Sequence, residues 1–82
     1  MYQTIDETIS VAGAYTPGKF TPAKFRWRNR IYPIQEICSQ HSFKDGNVQK
    51  RRFSVLARNT VFLLEFNRDQ ENWKLVQLWI EE

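Results

Sequence analysis

A single cysteine, Cys38, in 82 residues leaves no partner for an intramolecular disulfide, so burial and backbone pairing must hold the chain together. The only histidine, His41, stands three residues away, a spacing that can chelate a metal. Two ligands are too few, because a structural zinc wants four and a catalytic one usually three, and there is no second Cys/His pair. A Cys/His nucleophile would also need an orienting partner and an oxyanion site that the sequence does not announce. The expectation is an ordinary buried thiol and a surface imidazole, with no catalytic residues, no metal and no cofactor. The three glycines fall at or near expected turns and form no phosphate-binding loop. Carboxylates are scarce in the middle of the chain, where Glu36 is alone apart from the turn residue Asp45. An acid-base pair would require Glu36 near Glu65; an arginine partner is the plainer account of Glu36. No apolar run approaches the roughly 20 residues of a membrane span, and MYQTIDETISVAGAY has neither a basic n-region nor an apolar h-region. These absences point to a cytoplasmic, non-enzymatic chain with no membrane partner.

The residues present are those of a folded domain. Apolar residues make up 41% of the chain and twelve rings are among them, well above the content of disordered sequences. Residues 1–82 suffice for one domain, in which a chain of this length hides about 60 to 65% of its unfolded surface. The net charge of +3 conceals an asymmetry. From Lys19 to Arg58 ten cations face two carboxylates, a net of +8, while the remainder carries two cations and seven carboxylates, a net of −5. Such a field steers a polyanion to one side or aligns a partner head to tail.

Turn residues recur at strand-length intervals, and the segments between them favour period two. Pro17-Gly18 suits a type II turn. After it Ala23, Phe25 and Trp27 share one face of a strand, with Lys24, Arg26 and Arg28 on the other. Asn29-Arg30 is a plausible reversal into a strand from about Ile31 to Phe43, where Pro33 signals an edge or a bulge. Asp45-Gly46 is the strongest hairpin signal. Residues 48–58 follow, with Phe53, Val55 and Ala57 inward and Lys50, Arg52, Ser54 and Arg58 outward. Asn59 marks another corner, and Thr60–Phe66 and Trp73–Ile80 make a last hairpin. Five strands joined by short reversals are antiparallel neighbours, and Thr4–Ala12 supplies a sixth that covers an open edge. The expected fold is all-β: a five- to six-stranded antiparallel meander forming a curled sheet or small open barrel, with residues 1–16 as the added strand and lead-in. A short helix over Ile34–Ser42 is the fallback.

Two surfaces stand out. Lys24, Arg26 and Arg28 form one row of charge and Lys50 with Arg52 a second; with strand 31–43 between them the rows lie about 9.6 Å apart, a shallow basic face able to touch several phosphates. The alternation sends Phe25, Trp27 and Phe53 into the core, leaving Phe20, Tyr32 and Phe43 as the rings to consider for stacking on bases. The last hairpin is apolar on both sides: if Phe62, Leu64 and Phe66 serve the core, Val61 and Leu63 point away, joined by Leu75 and Trp79 or by Val76, Leu78 and Ile80. Barrel closure covers them, or else a protein partner or a second copy docks on Val61, Leu63, Leu75 and Trp79. The sequence therefore points to a binding module whose partner is nucleic acid or, alternatively, another protein or itself.

The stretches FRWRNRIYPI, RRFSVL, FLLEF and NWKL together give a further indication. Phe25, Trp27 and Tyr32, then Arg51 with Phe53 to Val55, then Leu64-Glu65, Trp73 and Leu75 make up a pattern that resembles an uncharacterised family of short bacterial β-domains. That family opens on aromatic-x-Trp-x-Gly-x-x-Tyr and closes on Trp-x-Leu; Asn29 stands where its glycine falls. The resemblance covers roughly residues 22–80. Its members are often encoded beside translesion polymerase genes, so it implies a DNA-repair setting and carries over no catalytic residue.

Overall fold

The computed structural model describes residues 1–80. They form seven strands: β1 Tyr2–Thr16, β2 Lys19–Trp27, β3 Arg30–Pro33, β4 Glu36–Asp45, β5 Val48–Ala57, β6 Thr60–Asn67 and β7 Asn72–Trp79. A single antiparallel sheet runs in the order β3-β2-β1-β7-β6-β5-β4 and curls into a half-barrel. The expected class is therefore observed. The sheet departs from the expected one at two corners, the first of which raises the strand count to seven.

The first corner splits the stretch expected as one strand from Ile31 to Phe43. Past Pro33, which has no N–H to donate, the Ile34 amide donates to the Ala23 carbonyl and the Gln35 amide to the Leu56 carbonyl, each at 2.8 Å. Two adjacent residues thus tie β2 to β5. The pass before them becomes β3 on one edge of the sheet, and the pass after them becomes β4 on the other. The Ile34–Ser42 helix does not form.

The second corner lies in β1, which is no edge cover. Its first half, Tyr2–Ile9, pairs with β7, and its second half, Ser10–Thr16, pairs with β2. A bulge between Thr4 and Glu7 around Asp6 at φ 54° lets it bend, and opposite Ala12/Gly13 a second bulge lies on β2 with Ala23 as its extra residue. Gly13 is required there by space, because an added Cβ would overlap the Thr21 carbonyl and come within 2.8 Å of Pro22 Cα. The same bulge re-phases β2, so that Pro22 is buried where Ala23 was expected, and Ala23 is exposed.

Tight turns complete the sheet. Pro17-Gly18 links Thr16 to Lys19 with Gly18 at φ 79°, as a type II turn requires. Arg28-Asn29 and Arg58-Asn59 are two-residue turns with positive φ at both places, the type I′ pattern that suits sheet twist. The first reversal therefore falls one residue earlier than Asn29-Arg30, and Arg28 belongs to the turn.

The inner face holds the core: Phe53, Val55 and Ala57 of β5, Phe62 and Leu64 of β6, Leu75 and Leu78 of β7, Ile9 of β1 and Phe25 of β2. Leu75 is fully buried opposite Leu64, so its expected place on an outer interface is wrong. The reason is a bulge: Leu64 pairs with Leu75 but Leu63 pairs with Gln77, and the extra residue Val76 breaks the parity that had set Leu75 and Trp79 on one side.

Candidate nucleic-acid interface

The half-barrel has a closed end and an open one. At the closed end Arg58 donates to the Ile31 carbonyl at 3.0 Å and lies 4.8 Å over the Tyr32 ring, tying the β5–β6 turn to β3. Phe62 meets Phe25, Tyr32 and Trp27 edge-on at 5.1, 5.3 and 6.2 Å. Trp27 Nε1 donates to Glu7 Oε1 at 2.9 Å, and Arg28, folded 4.6 Å over the Trp27 ring, donates to both Glu7 oxygens. Those bonds, Arg28's first and Trp27's second, hold the Glu7 carboxyl below its usual 4.5. This end is sealed.

The residues expected to form a basic face are dispersed. The β2 row and the β5 row are separated by β1, β7 and β6, four strand spacings or about 19 Å along the sheet. Arg28 leaves its row for Glu7, while Lys24 and Arg26 remain exposed. On β5, Arg52 Nε donates to Glu65 Oε1 at 2.8 Å and its guanidinium covers Phe43 at 5.0 Å. Lys50 bridges Asp45 at 3.0 Å and Glu65 at 3.5 Å. The Asp45 hydrogen bond, with the Glu65 charge behind it, raises the Lys50 ammonium above its ordinary 10.5. Three of the five expected phosphate contacts are thus already occupied by carboxylates of the same chain. Cross-strand register brings Glu65 opposite Arg52, a pairing that no local spacing reveals.

The open end presents what the outer face lacks. Here β2 before Lys24 has no strand on its far side, and neither does β4 among the described residues. Between them the inner face is exposed as a cavity of about 550 Å³. Its floor comes from a cross-strand row in which Ser42, Arg51, Phe66, Trp73 and Ile9 are paired partners on β4, β5, β6, β7 and β1. Trp73 is the hub, 5.1 Å from Phe66, 5.5 Å from Phe53 and 5.8 Å from Phe20, which in turn lies 4.7 Å from the exposed Tyr15. Lys19, Arg51 and Arg68 line the same cavity and, among the described residues, no carboxylate does. The Arg68 amide is fixed to the Gln49 carbonyl at 3.0 Å. Among the described residues none of these three cations makes an ion pair.

Of the rings singled out for stacking, Phe20 is in this cavity, Tyr32 is packed at the closed end and Phe43 lies on the outer face under Arg52. Trp73, Phe66 and Arg51 were missed. The usable signal was parity: Arg51 alternates with Lys50 and Arg52, and so shares the face of Phe53.

Cys38 is the extra residue of a bulge on β4 and is exposed, contrary to the buried thiol expected. Its Sγ lies 3.9 Å from Glu36 Oε2, which gives Glu36 a thiol neighbour, and the His41 ring neighbours Phe43 at 5.7 Å. The described residues contain no group of three or more His, Cys, Asp or Glu side chains suited to a metal ion. On the outer face Leu56, Val61, Trp79 and Tyr2 pair across β5, β6, β7 and β1, with Leu63 one row along. Tyr2 and Trp79 meet edge-on at 4.8 Å, and Trp79 is 39% exposed.

Fold and site together define a small all-β half-barrel with a basic, ring-lined groove at its unclosed end. No family model, curated protein or solved structure matches the chain.

Proposed function

We propose that this protein is a small non-enzymatic binding module that engages nucleic acid through the groove at the open end of its half-barrel. The observation that carries this reading is the segregation of charge. Lys50, Arg52, Arg28 and Lys74 are spent on Glu65, Asp45, Glu7 and Asp6, whereas Lys19, Arg51 and Arg68 border a ring-lined cavity with no carboxylate among the described residues. Cations and rings in one groove are the combination that nucleic-acid strands require: the charges track phosphates and the rings accept bases. The site thus moves from the outer sheet face, where Lys24 and Arg26 are expected to contribute little, to the inner one. A nucleic-acid partner also agrees with the DNA-repair setting that the family resemblance implies.

The test is affinity for a fluorescent DNA or RNA strand across a salt series. Three phosphate contacts on a single strand give a slope of about −2 in log K against log salt. Arg51→Glu/Arg68→Glu should remove most of the binding and flatten that slope, while Lys24→Glu/Arg26→Glu should change little. Equal losses from both pairs, or an affinity indifferent to salt, would refute the groove.

A second reading rests on a separate observation, the outer row Leu56, Val61, Trp79 and Tyr2, continued by Leu63. A protein partner or a second copy would bury these side chains. Light scattering over a concentration series tests self-association, and Trp79→Ser should abolish any dimer found.

A further inference from the structure

Building on the nucleic-acid reading of the groove, we infer that its ligand is a single strand threaded through the seam between β2 and β4, with one unpaired base inserted against Phe20 and Trp73. Three observations converge on this. First, the cavity does not end at its floor. A second hollow of about 340 Å³, reaching Gln40 and His41 on β4, shares Gly18, Lys19, Ser42 and Arg51 with the larger one. The two make one trough that runs from the Trp73 floor out sideways between the strand edges. Its length suits a chain, with one nucleotide at the floor and its neighbours along the edges.

Second, the trough is walled by strand edges. Neither β2 from Lys19 to Pro22 nor β4 has a neighbouring strand there, so main-chain groups face the seam from both walls, acceptors and donors on β4 and, because Pro22 has no N–H, fewer donors on β2. Such groups can satisfy the edge of any base, which predicts tolerance of sequence. They can reach a base only when its edge is free of a Watson–Crick partner.

Third, the rings here face the cavity. Phe20 and Trp73 lie 5.8 Å apart and tilted by 50°, and both line the cavity, whereas the similarly tilted rings around Phe62 at the closed end pack on one another. A base on the Trp73 side fills the open angle. Lys19, Arg51 and Arg68 at the rim then meet phosphates on either side of the inserted nucleotide. A duplex keeps its base faces stacked inward and the whole domain measures only 37 × 27 × 23 Å, so the trough can admit a strand but not a helix.

The experiment uses the full chain and four probes: an oligothymidylate of about ten nucleotides, an abasic strand of equal length, thymidine monophosphate, and a duplex of the same length. The oligothymidylate should bind roughly tenfold or more tightly than the abasic strand or the duplex, and should change tryptophan emission. Trp73→Leu should bring it down to the abasic level while leaving abasic binding unchanged. Phe20→Leu, which keeps Trp73 on Phe53 and Phe66, should do the same in part and serves if the first variant does not fold. Equal binding of the oligothymidylate and the abasic strand, both still lost in Arg51→Glu/Arg68→Glu, overturns base insertion and leaves a groove that reads phosphate alone. The monophosphate competing as well as the oligothymidylate overturns the threaded strand. Failure of every probe to bind at low salt overturns the nucleic-acid reading itself.

Discussion

The two ends of the half-barrel are built from the same ingredients and differ in one. Both set arginines beside aromatic rings. At the closed end Glu7 takes the Trp27 N–H and the Arg28 guanidinium, and Arg58 reaches a main-chain carbonyl, so each of these three side chains has a partner within the chain. At the open end Lys19, Arg51 and Arg68 surround Phe20, Phe66 and Trp73, and no carboxylate among the described residues lines the cavity. A cation beside a ring is structural where an internal carboxylate completes it, and available to a ligand where none does. The outer face of β5 repeats the lesson at shorter range: Arg51 and Arg52 are neighbours, yet Glu65 occupies the second and leaves the first.

The largest expected effect separates the ends by stability. Phe62→Ala empties a fully packed site among Phe25, Trp27 and Tyr32 and should cost about 3–5 kcal/mol in urea denaturation. Phe66→Ala, on the half-buried floor of the groove, should cost less than half as much and weaken strand binding as well. Similar losses at both positions would mean that the open end is core and not site.

Charge reversal comes next. On the proposed reading each of Arg51 and Arg68 would contribute a charge-assisted contact of about 1.5–3 kcal/mol to a bound phosphate, so the double change should lower affinity a hundredfold or more while the thermal midpoint hardly moves. Glu65→Gln sharpens the comparison between faces. It should cost about 1–2 kcal/mol of stability, less than the breaking of a fully buried pair because Arg52 reaches solvent, and strand affinity should stay constant. If the outer face were the site, freeing Arg52 would strengthen binding instead.

The smallest effect is a pH dependence at the closed end. The Glu7 carboxyl titrates lower in the folded chain than its usual 4.5. Its stabilisation is therefore whole above the unfolded value and disappears as pH falls through the folded one. Thermal melts of wild type and Glu7→Gln between about pH 7 and about pH 3 should show the gap between them closing on acidification. A gap that stays constant would mean that the Arg28 and Trp27 bonds to Glu7 do not discriminate its charge.

Much of the fold could be read from the chain because strands advertise themselves locally. Pro17-Gly18, the Asp45-Gly46 hairpin, the inward run Phe53, Val55, Ala57 and the last hairpin all follow from turn chemistry and period two. The errors share a cause. A bulge adds one residue to a strand, leaves composition untouched and inverts every side chain beyond it. The bulge at Ala12/Gly13 exchanged Ala23 for Pro22, the one at Leu63/Leu64 returned Leu75 to the core, and the one at Ile37/Ser39 left Cys38 exposed.

The sequence by itself determined the all-β class, most of the turns, the burial of Phe25 and Phe53, and the excess of cations between Lys19 and Arg58, because each depends on residues a few places apart. Only the tertiary structure decided that β3 and β4 part to opposite edges, that Glu65 meets Arg52, and that Lys19, Arg51, Arg68, Phe20 and Trp73 gather in one groove. Those residues lie on three strands and a loop, and what joins them is register and sheet curvature, set by bulges and by the Ile34-Gln35 corner, which no stretch of neighbouring residues encodes.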